Sequence, residues 1–319
     1  MHSTIVDDAR FPNLGKLVGQ VLAAWPEHRR YLEKSIGARD AELMQHTELL
    51  ASMVVRLAGA MSGGLSGLCT DYRFLCEGIV LPEELHFRRH GSYRLSNFED
   101  ALRTVYSDTA FMTRYMRGLL ASDVLWINHC QGLQHYARNF LGALRQGSSL
   151  LEIGPGHGLL LYLATLSANV GQLTAWDISK ASLEMTQHAL ETLQAPRTAK
   201  FEDRNIFDPS IMAPENGGAF DAIVLSEVLE HLEQPEQAVR VLFHLCKPGG
   251  RVWINVPANS PAPDHLYLVS EPDQARKLVS EAGFKIVDVA NFPMTGATLD
   301  RAIRQKLTIT CIIVGERPA

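Results

Sequence analysis

The chain has 319 residues, of which 46% are hydrophobic and 20% charged, with a formal net charge of -5. That length accommodates one large domain or two ordinary ones with a sizeable core, and the composition excludes a low-complexity or disordered chain. Residues 1–146 carry 16 basic and 15 acidic side chains and residues 147–319 carry 14 and 20, so neither part offers the concentrated positive field that nucleic acid or an anionic membrane demands. The five cysteines, Cys69, Cys76, Cys130, Cys246 and Cys311, are odd in number and form no C-x-x-C pair. They read as reduced thiols of a cytoplasmic protein. The stretch MHSTIVDDARFPNLGK lacks a positive-then-apolar leader pattern, and no run of 18 apolar residues suggests a membrane span.

Along the chain, residues 14 to 146 repeat their apolar positions at helical spacing, as in LGKLVGQVLAAW, AELMQHTELLASMVVRLAGAM and DTAFMTRYMRGLLASDVLWINH. The segment 62–67, Ser-Gly-Gly-Leu-Ser-Gly, predicts a break. Ser96 with Glu99 offers a capping box for a helix beginning near Phe98. A further helix is expected through HCQGLQHYARNFLGALR, ending at Gly147. From 148 short apolar runs alternate with helical segments. SSLLEIG, GQLTAWD, Ala199–Phe207, FDAIVLS, GGRVWINV, GFKIVDV and LTITCIIVGE predict seven strands. The fold class is therefore α/β: a doubly wound, seven-stranded, mostly parallel sheet preceded by an all-helical cap. The boundary is placed at about 146, giving a helical, substrate-binding cap (1–146) and a sheet domain (147–319).

Glu152-Ile-Gly154-Pro-Gly156-His157-Gly158 ends the first strand and opens a helix. Glycines permit positive φ in such a tight turn and let a ligand approach the backbone. In open α/β sheets the ligand lies at the carboxyl ends of the strands, where strand order reverses. A dinucleotide fingerprint is G-x-G-x-x-G. Here the spacing is G-x-G-x-G, and Leu159 stands where that fingerprint needs glycine. Glu152 would repel a pyrophosphate but suits the ammonium of a cationic ligand, directly or through water.

The turn resembles the first motif of class I S-adenosylmethionine (SAM) dependent methyltransferases. FDAIVLSEVLEHLEQPEQAV (220–239) resembles that superfamily's fourth strand and following segment, and KPGGRVWINVPA (247–258) its turn into the fifth strand. The resemblance covers about 150–290. It implies SAM as cofactor, with Gly154, Gly156 and Gly158 along its methionine part. Asp177 at the end of the second strand would accept from the ribose hydroxyls, with Trp176 or Ile178 beside the adenine. Alignment on the strand end gives Asp203, and alignment on "IFD" gives Asn205 beside Ile206, as acceptor of the adenine amine. Ser226 and Glu227 would close the other side.

Fold alone does not supply a substrate. The helical cap is rich in aromatics, and Tyr106, Tyr115 and Trp126 are candidates to face a sulfonium, whose charge an aromatic face stabilises. The loop Asn259–Tyr267 follows the fifth strand. Its adjacent Asp264 and His265 could both enter a site only if the loop bends, and His265 could then act as a general base. His231 reads as structural, or as a support behind the site residues. The histidine pairs 129/135 and 86/90 show no convincing metal pattern, so no metal is expected. The resemblance implies a small-molecule methyltransferase of bacterial-type specialised metabolism. The full-length layout, a long helical cap with Y-M-x-G-L-L (115–120) and L-W-x-N-H (125–129) before the glycine motif, also resembles enzymes that cyclise SAM to azetidine-2-carboxylate with release of methylthioadenosine. That reaction, and a non-catalytic SAM-binding protein, stay open as alternatives. The expected partner is a small molecule, or SAM alone, rather than nucleic acid or membrane. A homodimer through the cap is conceivable.

Overall fold

The computed structural model describes residues 5–319; the first four, at the head of the N-terminal stretch read above, lie outside them. Eight α-helices precede the first strand: α1 Pro12–Ala24, α2 Arg29–Gly37, α3 Ala41–Ala60, α4 Gly64–Phe74, α5 Leu81–His90, α6 Phe98–Ala101, α7 Thr109–Leu125 and α8 Ile127–His135. The alternating part follows as β1 Ser148–Ile153, α9 Leu159–Leu166, β2 Val170–Asp177, α10 Lys180–Thr192, β3 Lys200–Asp203 and β4 Phe220–Ser226. It continues with α11 Pro235–Leu245, β5 Cys246–Ala258, α12 Pro272–Glu281, β6 Lys285–Pro293, α13 Leu299–Gln305 and β7 Ile309–Glu316. Among the described residues no single helix is long and apolar enough to cross a membrane.

The sheet order is β3-β2-β1-β4-β5-β7-β6. The first five strands pair in parallel, while β7 runs antiparallel to both β5 and β6. Strand order reverses at β1, between β2 and β4, so the glycine turn stands at the switch point where such sheets bind ligands. All seven predicted strands are present. The third is shorter than Ala199–Phe207, because Asn205 folds back to cap Phe207 and ends the extended stretch.

The helices form where buried residues recur at helical spacing. On α3, Leu43, Leu50, Val54 and Leu57 face inward, and Asp40 caps the helix by accepting from the Leu43 N–H. Two local expectations shift. The glycine break narrows to about 61–63, since Gly64 already starts α4. Asn97, not Ser96, caps α6 by accepting from the Asp100 N–H. Asn97 sits one residue nearer the helix, where its amide also reaches Asp100 Oδ2.

The change from helices to sheet falls between Ala143 and Ser148. The two parts nevertheless share one core: Leu50, Tyr136 and Leu150 belong to the same buried apolar cluster as Val224 and Trp253. The cap therefore covers one sheet face. α8 is docked there by Asn128 donating to Thr310 Oγ1 and by His135, which bridges Trp253 Nε1 and Asp288. The other face packs under Ile153, Trp176, Leu225 and Ile254. Burial on both faces explains the near-continuous apolar runs of β1, β4 and β5.

The end of α7 is held by a buried cation. Arg39 donates to the carbonyls of Val124 and Leu125 and to Thr47 Oγ1. It thereby satisfies helix-end carbonyls that lack intrahelical partners. Among the described residues, π-helical turns at Leu75–Val80, Leu102–Tyr106 and Tyr136–Phe140 widen the helices at three points. Such turns re-aim side chains and recur at functional sites. The turn at Leu102–Tyr106 ends on Tyr106, which meets His231, whereas Tyr136 stays fully buried against Trp253.

Candidate active site

The turn after β1 uses the freedom of its glycines: φ is +70° at Gly154, +55° at Gly156 and +85° at Gly158. A Cβ on Gly154 would lie 2.7 Å from Val228 Cγ2, and one on Gly156 would lie 3.4 Å from Met116 of α7. The turn is thus covered from above by the cap and flanked by the segment after β4. Just before it, Glu152 is 1% exposed, and its Oε2 has no hydrogen-bond partner. Burial pushes its carboxyl up to about 8. A buried acceptor with nothing to bind suits an added cationic donor.

At the end of β2, Asp177 accepts from the Ser179 N–H and the Ser182 hydroxyl. Burial raises its pKa against those hydrogen bonds. Of the two residues beside it, Ile178 is 51% exposed and Trp176 is only 3% exposed, with Arg204 against its ring and Phe220 at its edge. Trp176 is a core side chain, and Ile178 is the one open to a base. Asp203 lies level with Asp177 on β3 and pairs with Lys180 at 3.7 Å. Asn205 spends its carbonyl on Phe207, and Ile206 is buried in the core.

Beyond β4, Ser226 accepts from Asn255 Nδ2, and Glu227 takes φ +52°, unusual for a residue with a Cβ. Next in the chain, Glu230 is fully buried and neither carboxylate oxygen has a partner. Burial first, and then the neighbouring Glu227, hold its carboxyl well above the usual range. The Glu230 carbonyl accepts from the backbone N–H groups of Leu266 and Tyr267, at 2.7 and 2.9 Å. This fastens the loop after β5 to the segment after β4.

That fastening bends the loop, and the adjacent Asp264 and His265 both turn inward, 3% and 6% exposed. The Tyr115 hydroxyl donates to Asp264 Oδ1 at 3.2 Å, while His231 Nδ1 lies 3.4 Å from Asp264 Oδ2. Tyr106 meets His231 Nδ1 at 3.2 Å. His265 Nδ1 donates to the Ser260 carbonyl at 2.6 Å, and its ring meets those of His231 and Tyr93 edge-on. Burial lowers the His265 pKa to about 4, which leaves a neutral imidazole with Nε2 toward Glu230.

Tyr106, Tyr115, Asp264 and His265 are therefore brought together as the sequence suggested. Trp126 is not. Its indole N–H donates to Tyr72 inside the helical layer, and its ring lies against His129. His231, read as structural or as a support behind the site residues, sits between Tyr106, Asp264 and His265. Glu230, Asp123, His157 and Tyr93 were missed. The adjacent Glu230-His231 pair just after a strand end was the available signal, but nothing in the linear order pairs it with a loop 33 residues on. Glu230, His231 and His265 each present a ligand atom, all within 4.8 Å of one another. Two imidazoles and an unpaired carboxylate suit a divalent cation as well as a shared proton. No metal pattern was legible there, since the third ligand comes from a different loop.

Residues 130–289, half of the chain, match the family described as "Methyltransferase domain". The chain belongs to that family. S-adenosylmethionine is its cofactor, and the residues present fit it: glycines at positive φ, an unpaired buried carboxylate below the turn, and an acid at the end of β2. The methyltransferase domain is similar to curated proteins named ubiquinone biosynthesis O-methyltransferase. One from Chromobacterium violaceum is 36% identical over 113 residues, covering 34% of this chain and 44% of the relative. One from Xanthomonas axonopodis pv. citri is 31% identical over 133 residues, covering 41% and 52%. The chain thus spans about half the length of the curated relatives it matches. An O-methyltransferase family protein from Burkholderia thailandensis shares the fold, with a TM-score of 0.53 at 12% identity over 80% of this chain and 72% of that one.

Proposed function

We propose that this chain transfers the methyl group of SAM to an oxygen nucleophile of a small molecule. The single observation that carries this reading is the convergence of Tyr106, Tyr115, His231, Asp264 and His265 beside the glycine turn. Tyr106 links the two regions: it touches His231, and the charges of both Asp264 and Asp177 act on its hydroxyl. An acceptor placed there would face the cofactor's methyl carbon.

When bound, SAM supplies an activated methyl group. The protein's part is alignment for in-line displacement and removal of the acceptor's proton. His265 is neutral at pH 7, and its Nε2 is an available acceptor. Its lowered pKa makes it a weak base, which can take the proton only as the C–O bond forms and the hydroxyl becomes strongly acidic. The tyrosine faces supply electron density for a sulfonium. The names of the matched relatives support an oxygen acceptor. Whether the acceptor belongs to quinone biosynthesis or to specialised metabolism is a matter of cap shape, since the cap lies largely outside the matched segment. The acidic sheet half supports a small acceptor over nucleic acid.

The test is a product profile by mass spectrometry from SAM with a panel of phenols, enols and amines. Acceptor-dependent S-adenosylhomocysteine supports methyl transfer. Methylthioadenosine formed from SAM alone would instead establish cyclisation.

A further inference from the structure

A second buried cluster lies on the other side of the turn, and the methyl-transfer reading does not use it. Asp123, near the end of α7, stands between two imidazoles. Its Oδ2 is 3.1 Å from His157 Nε2, and its Oδ1 is 3.4 Å from His129 Nδ1. His157 is part of the glycine turn itself, between Gly156 and Gly158. His129 is on α8, and the charge of Glu227, after β4, acts on it. The three side chains are 11–20% exposed, so they are neither solvated nor sealed.

The sheet order fixes what this cluster faces. Asp177 ends β2, the glycine turn ends β1 and Glu227 follows β4, and these strands are neighbours in that order. A nucleoside whose ribose were held at Asp177 would have the turn and then β4 beside it, and its amino-acid end would fall near the turn and Glu227, whose charge acts on His129. That end carries an ammonium and a carboxylate. Carboxylates are abundant around the site: Glu152, Glu227, Glu230 and Asp264. Cations are not. The arginines of α7, Arg114 and Arg117, pair with Asp71 of α4. His231 and His265 are engaged with Asp264 and with the Ser260 carbonyl. His129 directs Nδ1 to Asp123 and Ser122, and its Nε2 makes no hydrogen bond among the described residues.

We propose that His129, oriented by Asp123, receives the α-carboxylate of the cofactor through Nε2–H, and so selects ligands that carry an intact amino-acid end. A charge-assisted hydrogen bond would form between imidazolium and carboxylate. Asp123 acts through His129 and through His157, which it ties to the turn, and is a positioning residue. The proposal rests on the reading of the turn as a SAM site.

The experiment is calorimetric titration of the full chain with three ligands: S-adenosylhomocysteine, decarboxylated SAM and methylthioadenosine. Decarboxylated SAM keeps the sulfonium and the ammonium and lacks only the carboxylate. Wild type is expected to bind S-adenosylhomocysteine at least tenfold more tightly than the two ligands without a carboxylate, the scale of one charge-assisted bond. His129→Gln should lose about tenfold to a hundredfold for S-adenosylhomocysteine, the same scale, and change little for the other two. Asp123→Asn should lose affinity in the same selective way. Equal affinity of wild type for all three ligands overturns the proposal without any variant. An equal loss for all three in His129→Gln, or no loss, overturns it too. If wild type binds none of the three, the SAM reading itself fails, a result distinct from binding without discrimination.

Discussion

Replacing Glu152 by glutamine keeps the shape of the side chain and removes its charge. In the folded protein the carboxyl is 1% exposed, and burial raises its pKa from 4.5 to about 8. The unfolded chain therefore ionises this group above pH 4.5, while the folded chain holds the proton until about 8. Unfolding releases a proton between those values, so this residue's contribution to stability falls as pH rises through that window. At about 1.4 kcal/mol per unit, the cost reaches roughly 3 kcal/mol at pH 7 and levels off above pH 8. Glu152→Gln removes that cost. In urea unfolding at pH 5 and pH 8, the variant should gain several kcal/mol relative to wild type at pH 8 and little at pH 5. Comparing the two pH values cancels any pH-independent packing difference. A difference that stays constant with pH, or a variant that loses ground as pH rises, would refute the claim that Glu152 is buried without a partner. The same substitution should weaken SAM binding, because the unpaired oxygen is the proposed seat of the cationic ligand.

Gly154→Ala should abolish cofactor binding in calorimetry while the fold persists by circular dichroism, since its Cβ would meet Val228 at 2.7 Å in a φ of +70°. Burial opposes the charge of Asp123, but His157 and His129 outweigh it and hold the carboxyl at about 2; Asp123 in turn raises His129 above 6.5 against the effect of burial. The pair's stabilisation is thus fully present between pH 3.8 and 6.5. It is lost below as Asp123 protonates and above as His129 deprotonates, so Asp123→Asn should cost most near pH 5 in denaturant titrations. Tyr106→Phe should lower kcat more than it raises KM for SAM, because its hydroxyl meets His231 rather than the ribose acid; an effect on KM alone would place it in cofactor binding.

The fold was legible because its signals are local. Glycines at 154, 156 and 158, an acid closing the second strand and apolar runs alternating with helical segments are properties of short windows, and each is set by backbone sterics or burial. Glu152 and the spacing to Leu159 bear directly on ligand charge, and the resemblance carried by the same windows implied the cofactor. Short windows also misplaced small things, such as the cap at Ser96 that belongs to Asn97 and the indole of Trp176 that faces the core.

The chemistry was much less legible, because it is assembled from distant segments. His231, Asp264 and Tyr115 meet only after the Glu230 carbonyl fastens the loop behind β5 and α7 crosses the turn. Asp123, from the end of α7 that Arg39 holds, joins His129 of α8 and His157 of the glycine turn. The sequence by itself determined the seven strands, the glycine turn and a site that suits a cationic ligand, since these follow from backbone conformation and one acid within a few residues, and its motifs carried the resemblance that implies SAM. Only the tertiary structure decided which acids and imidazoles surround it. Those pairings depend on long-range packing between cap and sheet, which no periodicity records.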